Sequence, residues 1–187
     1  MALKIGYLRV NEYTSLDPAV PIEDTIGAIA DLVSAGYVRH IALSEVGAET
    51  LRRAVGVHPV VDLQIEYSLL QRRLEGELLN TCRALGVAVT AYGVLARGLL
   101  GGHLNSNLPP EDYRNFSARF QGTNLRANLD LAERLRAVAA PLKATPAQAA
   151  IAWVAAQGRD IVPLTGAGSR ARIVEALAAG RHRVDVG

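Results

Sequence analysis

The chain has 187 residues, half of them apolar and a fifth charged, with 17 Gly, 8 Pro and one Cys. That composition excludes a disordered chain, which cannot bury enough apolar surface to offset its ordering entropy, and no uncharged run of about 18 apolar residues offers a membrane span. Twenty Lys and Arg against 18 Asp and Glu leave a formal charge of +2, too near neutral for a surface that tracks nucleic acid.

The amino terminus, Met1-Ala2-Leu3-Lys4-Ile5-Gly6, lacks the apolar stretch of a signal peptide, and a cytoplasmic location follows as the default. Residues 5–10 predict a strand, followed by a linker with Asp17-Pro18 and Pro21. Ile22, Ile26, Ile29 and Val33 then mark one face of a helix that Gly36 stops. His40-Ile41-Ala42-Leu43-Ser44 predicts a buried strand, and residues 48–57 a short helix carrying Leu51, Ala54 and Val55. A third strand is predicted over 60–66 and a helix over 77–85, ended by Gly86. Within that helix Cys82 is spaced with Leu78, Leu79 and Leu85 as a small core residue, and a single Cys suits a reducing compartment. Arg52-Arg53 and Arg72-Arg73 fall between apolar runs, where solvated surface is the default.

Val87-Ala88-Val89-Thr90-Ala91-Tyr92 is the clearest strand, rich in β-branched and aromatic residues. Residues 98–123 form a long irregular stretch with Pro109-Pro110, the kind of loop that is usually functional or mobile. A helix with Leu125, Leu129, Ala132 and Leu135 on one face comes next. Its successor opens with Thr145-Pro146-Ala147-Gln148, where Thr145 can cap, Pro146 suits the first turn and Gln148 can bond back. Ala149, Ala152, Trp153 and Ala156 line its apolar face, which places Trp153 in the core. Asp160-Ile161-Val162-Pro163-Leu164 is the last strand, and Gly166-Ala167-Gly168-Ser169 leads into a final helix carrying Ile173, Val174 and Leu177.

Strands alternating with helices argue for parallel βα units, because parallel strands need long crossovers. A doubly wound sheet and a (β/α) barrel both satisfy this pattern, and both place chemistry at the carboxyl ends of the strands. The focus falls on Ser44-Glu45 and on residues 64–67, 92–97 and 164–170. Gly166-Ala167-Gly168 lacks the third glycine of a dinucleotide fingerprint, and a tight turn explains it equally well. It nevertheless opens a helix whose amides and dipole favour phosphate, with Arg170 and Arg172 behind it. Tyr92 could stack on a flat heterocycle or simply pack. Gln64, polar in a buried run, needs hydrogen bonds that a carboxamide-bearing ligand could supply, and Ser44 could contribute likewise. His40, His58, His103 and His182 have no metal-ligand spacing, and there is no Gly-x-Ser-x-Gly, so no metal site or nucleophile is expected.

These segments together resemble the aldo-keto reductases, nicotinamide-dependent (β/α)8 barrels. Val20-Pro21-Ile22-Glu23-Asp24-Thr25 resembles the family's approach to its fourth helix. Residues 36–44, Gly-Tyr-Val-Arg-His-Ile-Ala-Leu-Ser, resemble the strand G-K-V-R-x-I-G-L-S. Leu63-Gln64-Ile65-Glu66-Tyr67-Ser68 is similar to L-Q-x-E-Y-S, and Ala91-Tyr92-Gly93-Val94-Leu95-Ala96-Arg97-Gly98 to A-Y-S-P-L-G-R-G. Arg119-Phe120-Gln121-Gly122, Thr145-Pro146-Ala147-Gln148 and Asp160-Ile161-Val162-Pro163-Leu164 complete the ordered series, which runs from about Asp17 onward and matches the carboxy-terminal part of the barrel.

The resemblance implies an α/β fold, a partial (β/α)8 TIM barrel of about five parallel strands in a single domain over 1–187, with an NADP(H) site. Ser44 and Gln64 would hold the nicotinamide carboxamide and Tyr92 would stack on its ring. Gly93, Val94, Leu95 and Arg97 would follow the pyrophosphate, and Ser169, Arg170 and Glu175 would approach the adenosine end. Gly168 replaces a family Lys or Arg for the ribose 2′-phosphate and Ala176 a family Asn for the adenine, so NAD(H), or loss of binding, remains an alternative. The family's Asp, Tyr, Lys and His proton-transfer set is not matched. Lys4, Tyr7 and Tyr13 do not carry its motifs, and no His precedes His40. The expectation is an oxidoreductase acting on a small carbonyl compound, impaired or inactive, amino-terminally shortened and self-associating through open strand edges. Its alternatives are a non-catalytic nucleotide- or protein-binding module and half of a barrel completed by another chain.

Overall fold

The protein is described here by a computed structural model covering residues 5–11, 20–104 and 108–182, with the backbone alone for 5–11. The linker around Asp17-Pro18, along with Lys4 and Tyr13, lies outside the described residues. In chain order the elements are β1 (Ile5–Asn11), α1 (Ile22–Ser34), β2 (Val38–Ser44), α2 (Ala48–Val57), β3 (Val60–Glu66), α3 (Glu77–Leu85) and β4 (Ala88–Tyr92). They continue with α4 (Gly122–Ala139), α5 (Pro146–Ala156), β5 (Ile161–Pro163) and α6 (Arg170–Ala178).

The strands lie side by side in the order β1-β2-β3-β4-β5, and the β1–β2, β2–β3 and β3–β4 pairings are parallel. A doubly wound sheet reverses its strand order at a switch point. No reversal occurs here, so the topology is that of part of a (β/α) barrel.

The chain forms two compact units. The first contains β1 to β4, α1 to α3 and the first two residues of β5. Its sheet separates the side chains by the period of the strand. Ile41, Leu43, Leu63, Ile65, Val89 and Ala91 are buried, whereas Asp62, Gln64 and Glu66 on β3 are half-buried on the opposite face. Helices α1 and α2 pack together, as do α2 and α3, with Ile26, Leu51, Ala54 and Cys82 fully enclosed. Ile26 and Leu51 each contribute about 1.5–3 kcal/mol by leaving water, and the smaller Ala54 and Cys82 less. Arg53 grips Glu23 at 2.6 and 2.7 Å, and Arg52 donates to Glu77 at 3.0 Å and to Thr81 at 2.9 Å. The paired arginines at 52 and 53 are thus surface links between helices, of the kind worth little individually. Arg83 and Asp160 pair at 2.8 Å, where the Val89 amide also donates to the Asp160 carbonyl at 2.8 Å.

The second unit contains α4 to α6 and the segment from Gly93 to α4. Its core gathers Ala96, Leu99, Leu100, Phe120 and Ala150, with Leu125, Leu129 and Leu135 of α4 half-buried against them. Among its described residues, the predicted irregular stretch contains the short 3-10 turns Tyr113–Phe116 and Ala118–Phe120, and a kinked segment, Ala96–Gly101, leads into it. The predicted start of α5 is a complete capping box. Thr145 Oγ1 accepts from the Gln148 amide at 3.2 Å, and Gln148 Oε1 accepts from the Thr145 amide at 3.0 Å.

Two predicted apolar faces are corrected. Trp153 is only half-buried and Ala156 is exposed, because α5 buries Ala147, Ala149, Ala150, Ile151, Ala152 and Val154 around much of its circumference. On α6, Ile173, Val174 and Leu177 are exposed, since nothing among the described residues covers that face. The last strand is also shorter than predicted, three residues in place of five.

Candidate functional site

Strand alignment in the first unit assembles a row of polar side chains. Ser44 registers with Gln64, and Gln64 with Thr90; one step further, Glu66 registers with Tyr92. Residues in register share a face, so β2, β3 and β4 bring together Ser44, Gln64 and Tyr92, the three strand-end residues singled out from sequence. Ser44 is buried, at 4% exposure, and Gln64 and Tyr92 are half-buried. Asp62 lies two residues before Gln64 and accepts a 2.8 Å hydrogen bond from Thr90 Oγ1, which ties β3 to β4 beneath the row.

At the same end, Glu45 adopts a left-handed backbone, φ 57°. A residue other than glycine held there costs about 1–3 kcal/mol. Its amide donates to the Gln64 carbonyl at 2.9 Å, and its Oε1 accepts from the Glu66 amide at 2.7 Å. Nearby in sequence, the fully buried Tyr67 donates its hydroxyl to Glu75 Oε1 at 2.9 Å. Burial, then the bond to Glu75, raises the Tyr67 hydroxyl well above its ordinary pKa, so it stays protonated. Cys82 is as inert as expected, with burial pushing its thiol up to about 11.

The second unit holds a pocket of about 490 Å³ lined by its own residues. Four of the predicted pyrophosphate contacts, Gly93, Val94, Leu95 and Arg97, line it, as does Glu175. Ser169 and Arg170 do not. Ser169 instead caps α6 by accepting from the Arg172 amide at 3.4 Å, and Arg172 is the cation that reaches the pocket wall. Gly166 lines it also.

Ala96, Arg97 and Gly98 take successive positive φ values of 47°, 57° and 99°. This left-handed turn is held by Arg114, whose Nη1 donates to the Arg97 carbonyl at 3.2 Å. Arg114 is itself fixed by two bonds to the Asp112 carboxylate, at 2.9 and 2.6 Å, and its guanidinium lies 5.9 Å from the Phe120 ring centre. The Arg114 guanidinium holds the Asp112 carboxyl at about 2, below the usual carboxylate range. The pocket wall therefore carries Arg97, Arg114 and Arg172 with the Glu175 carboxylate, and because Asp112 neutralises Arg114 the cations that outnumber Glu175 are Arg97 and Arg172. That imbalance suits an anionic ligand.

Arg114 and His103 line the pocket but were not reached from sequence, because both lie in the irregular stretch where no periodicity points. Asp112-x-Arg114 among turn residues was the available signal. Among the described residues, no group of three or more His, Cys, Asp and Glu is placed to hold a metal ion, and no helix is long and apolar enough to cross a membrane.

A family model described as the aldo/keto reductase family matches residues 6–185. Among curated proteins, the "Probable aldo-keto reductase 1" of Glycine max is 41% identical over 165 residues, covering 88% of this chain and 48% of that protein. Among solved structures, a glycerol dehydrogenase from Gluconobacter oxydans superposes with a TM-score of 0.88 at 23% identity, covering 97% of this chain and 55% of that one. A thermostable aldo-keto reductase in complex with the inhibitor epalrestat gives a TM-score of 0.74 at 24% identity, covering 97% and 56%. At those identities the structural likeness speaks for the fold alone. The chain spans about half the length of these relatives.

Proposed function

This chain belongs to the aldo/keto reductase family, and from that premise we propose that it binds a nicotinamide dinucleotide, NADP(H) first, as a member with little or no turnover of its own. The observation that carries the reading is the pocket of the second unit, where Arg97 and Arg172, beside an Arg114 already paired with Asp112, outnumber the one carboxylate of Glu175 on a wall that also presents Gly93 to Leu95. Such a wall fits a diphosphate: guanidinium groups and glycine-bordered backbone can meet anionic oxygens closely. Ser44 and Gln64 offer the hydroxyl and amide groups that a carboxamide needs, and Tyr92 a flat ring for the nicotinamide. Glu175 lies toward the adenosine end, with Ser169 and Arg170 acting there through the start of α6.

When bound, a reduced nicotinamide would supply the hydride for reduction of a carbonyl carbon. A proton donor must serve the carbonyl oxygen, and on this reading Lys4, Tyr7 and Tyr13 do not carry the family's motifs for that role. Loss of general-acid help costs about two to four powers of ten in rate. NADPH oxidation driven by small aldehydes is therefore expected near background, while NADPH fluorescence should change at micromolar to millimolar cofactor (on the order of family-independent KM values). Fast aldehyde-dependent turnover would overturn the non-catalytic part, and absence of any nucleotide signal would overturn the site. Competition by NADH settles cofactor preference, for which Gly168 and Ala176 remove two of the family's adenosine-side contacts.

We also propose that residues 1–187 act as one partial-barrel domain, for which the unbroken family match supplies support. Self-association is proposed from the position of β1 and β5 at the two ends of the sheet order, since open edges recruit further strands. A single monomer boundary in sedimentation velocity would count against it. A reducing, cytoplasmic setting accords with a lone buried cysteine.

A further inference from the structure

The β2–β3 pairing ends at Ser44 and Gln64. Beyond that rung the chain leaves the sheet toward α2, and Glu45 makes the departure in a left-handed conformation. Strand β3 continues, pairing Glu66 with Tyr92 on its β4 side, where the Tyr67 amide donates to the Tyr92 carbonyl at 3.0 Å. On its β2 side there is no strand left to receive the Glu66 amide. The Glu45 carboxylate receives it, at 2.7 Å. Its own amide meanwhile binds the Gln64 carbonyl at 2.9 Å. One residue therefore grips β3 on both sides of Ile65, and does so next to the side chains of Ser44 and Gln64.

The residue type sharpens the point. A left-handed position at a strand exit favours Gly, Asn or Asp. Glutamate has no such preference, but its longer side chain returns to the sheet and replaces the missing rung with a charge-assisted bond. We propose that Glu45 is a positioning residue for the nicotinamide end of the site: it holds the end of β3 so that Gln64 presents its carboxamide beside Ser44. This rests on the reading of Ser44 and Gln64 as nicotinamide contacts. Glu45 itself takes no part in proton or hydride transfer.

The test uses the full chain with E45A and E45Q, two ligands and one ligand-free measurement. E45A removes the acceptor for the Glu66 amide, whereas E45Q keeps an acceptor oxygen at the same reach. NADPH affinity is expected to fall about tenfold in E45A and to stay within about threefold in E45Q, the scale of a hydrogen bond to a charged group. Adenosine 2′,5′-bisphosphate, which lacks nicotinamide, should bind wild type and E45A within about twofold. In the ligand-free protein, hydrogen exchange at the Glu66 amide should accelerate about tenfold or more in E45A, while the Val89 amide stays protected. Equal losses for both ligands, or unchanged NADPH binding in E45A, would overturn the positioning role. A wild type that binds neither nucleotide removes the nicotinamide reading. An unchanged Glu66 amide in E45A removes the brace itself, whatever the nucleotides do.

Discussion

Replacing Gly98 with Ala tests the left-handed turn on the pocket wall. At φ 99° an L side chain is strained, and holding it there costs about 1–2 kcal/mol. The added Cβ would also sit 3.3 Å from Arg114 Nη1, tighter than an ordinary contact, so Arg114 must shift. Its bond to the Arg97 carbonyl, already 3.2 Å long, then weakens, at about 0.5–1.5 kcal/mol. Lower entropy of the unfolded chain returns about 0.4–1 kcal/mol. The net expectation is a loss of about 0.5–3 kcal/mol. Gly101 in the same segment is the internal control, because its φ is not positive and nothing lies within 4 Å of a Cβ built there. G101A should be neutral or gain up to about 1 kcal/mol. Urea unfolding at neutral pH measures both, and G98A should also bind NADPH more weakly. A G98A variant as stable as G101A would refute the argument that this turn is strained and held by Arg114.

The remaining predictions concern charge, capping and reactivity. R172A should weaken NADPH binding about fivefold and flatten its salt dependence, an exposed cation being worth about 1 kcal/mol; isothermal titration at two salt concentrations checks this. T145A should cost about 1 kcal/mol by removing the acceptor of the Gln148 amide, visible as a melting shift of about 2–4 °C. Cys82, buried and titrating at about 11, should resist an aromatic disulfide reagent at mildly alkaline pH until the chain is unfolded. The Asp112 carboxyl is depressed to about 2 in the folded state, so its stabilising effect is complete above about pH 4 and lost as pH falls through about 2. D112N should therefore flatten the acid limb of the melting temperature over that window.

Much of the first unit was legible because its elements are regular. The bounds of α2, β3 and α3 follow directly from periodicity and from Gly86 after the last turn. The α5 capping box was readable because its groups, Thr145 and Gln148, are three residues apart. Trp153 was misplaced for a physical reason: an alanine-rich helix has no single apolar stripe, so periodicity cannot say which side turns to solvent. Ile173, Val174 and Leu177 showed a stripe, yet a stripe does not reveal whether a partner covers it. In the pocket, Gly93 to Arg97 were readable as a strand-end segment, whereas Arg114 was not, since its place depends on Asp112, Arg97 and Phe120.

Sequence alone determined the alternation of strands and helices, the family resemblance and the inert cysteine, because these depend on residue type and on neighbours within a few positions. The choice between a doubly wound sheet and a barrel needed the strand order, which is a property of distant pairings. Tertiary structure also decided that Arg172, rather than Ser169 or Arg170, reaches the pocket wall, because the turn into α6 commits Ser169 to capping. It likewise revealed that Glu45 completes a rung of the sheet, since a backbone conformation and a hydrogen bond across 21 positions leave no trace in local pattern.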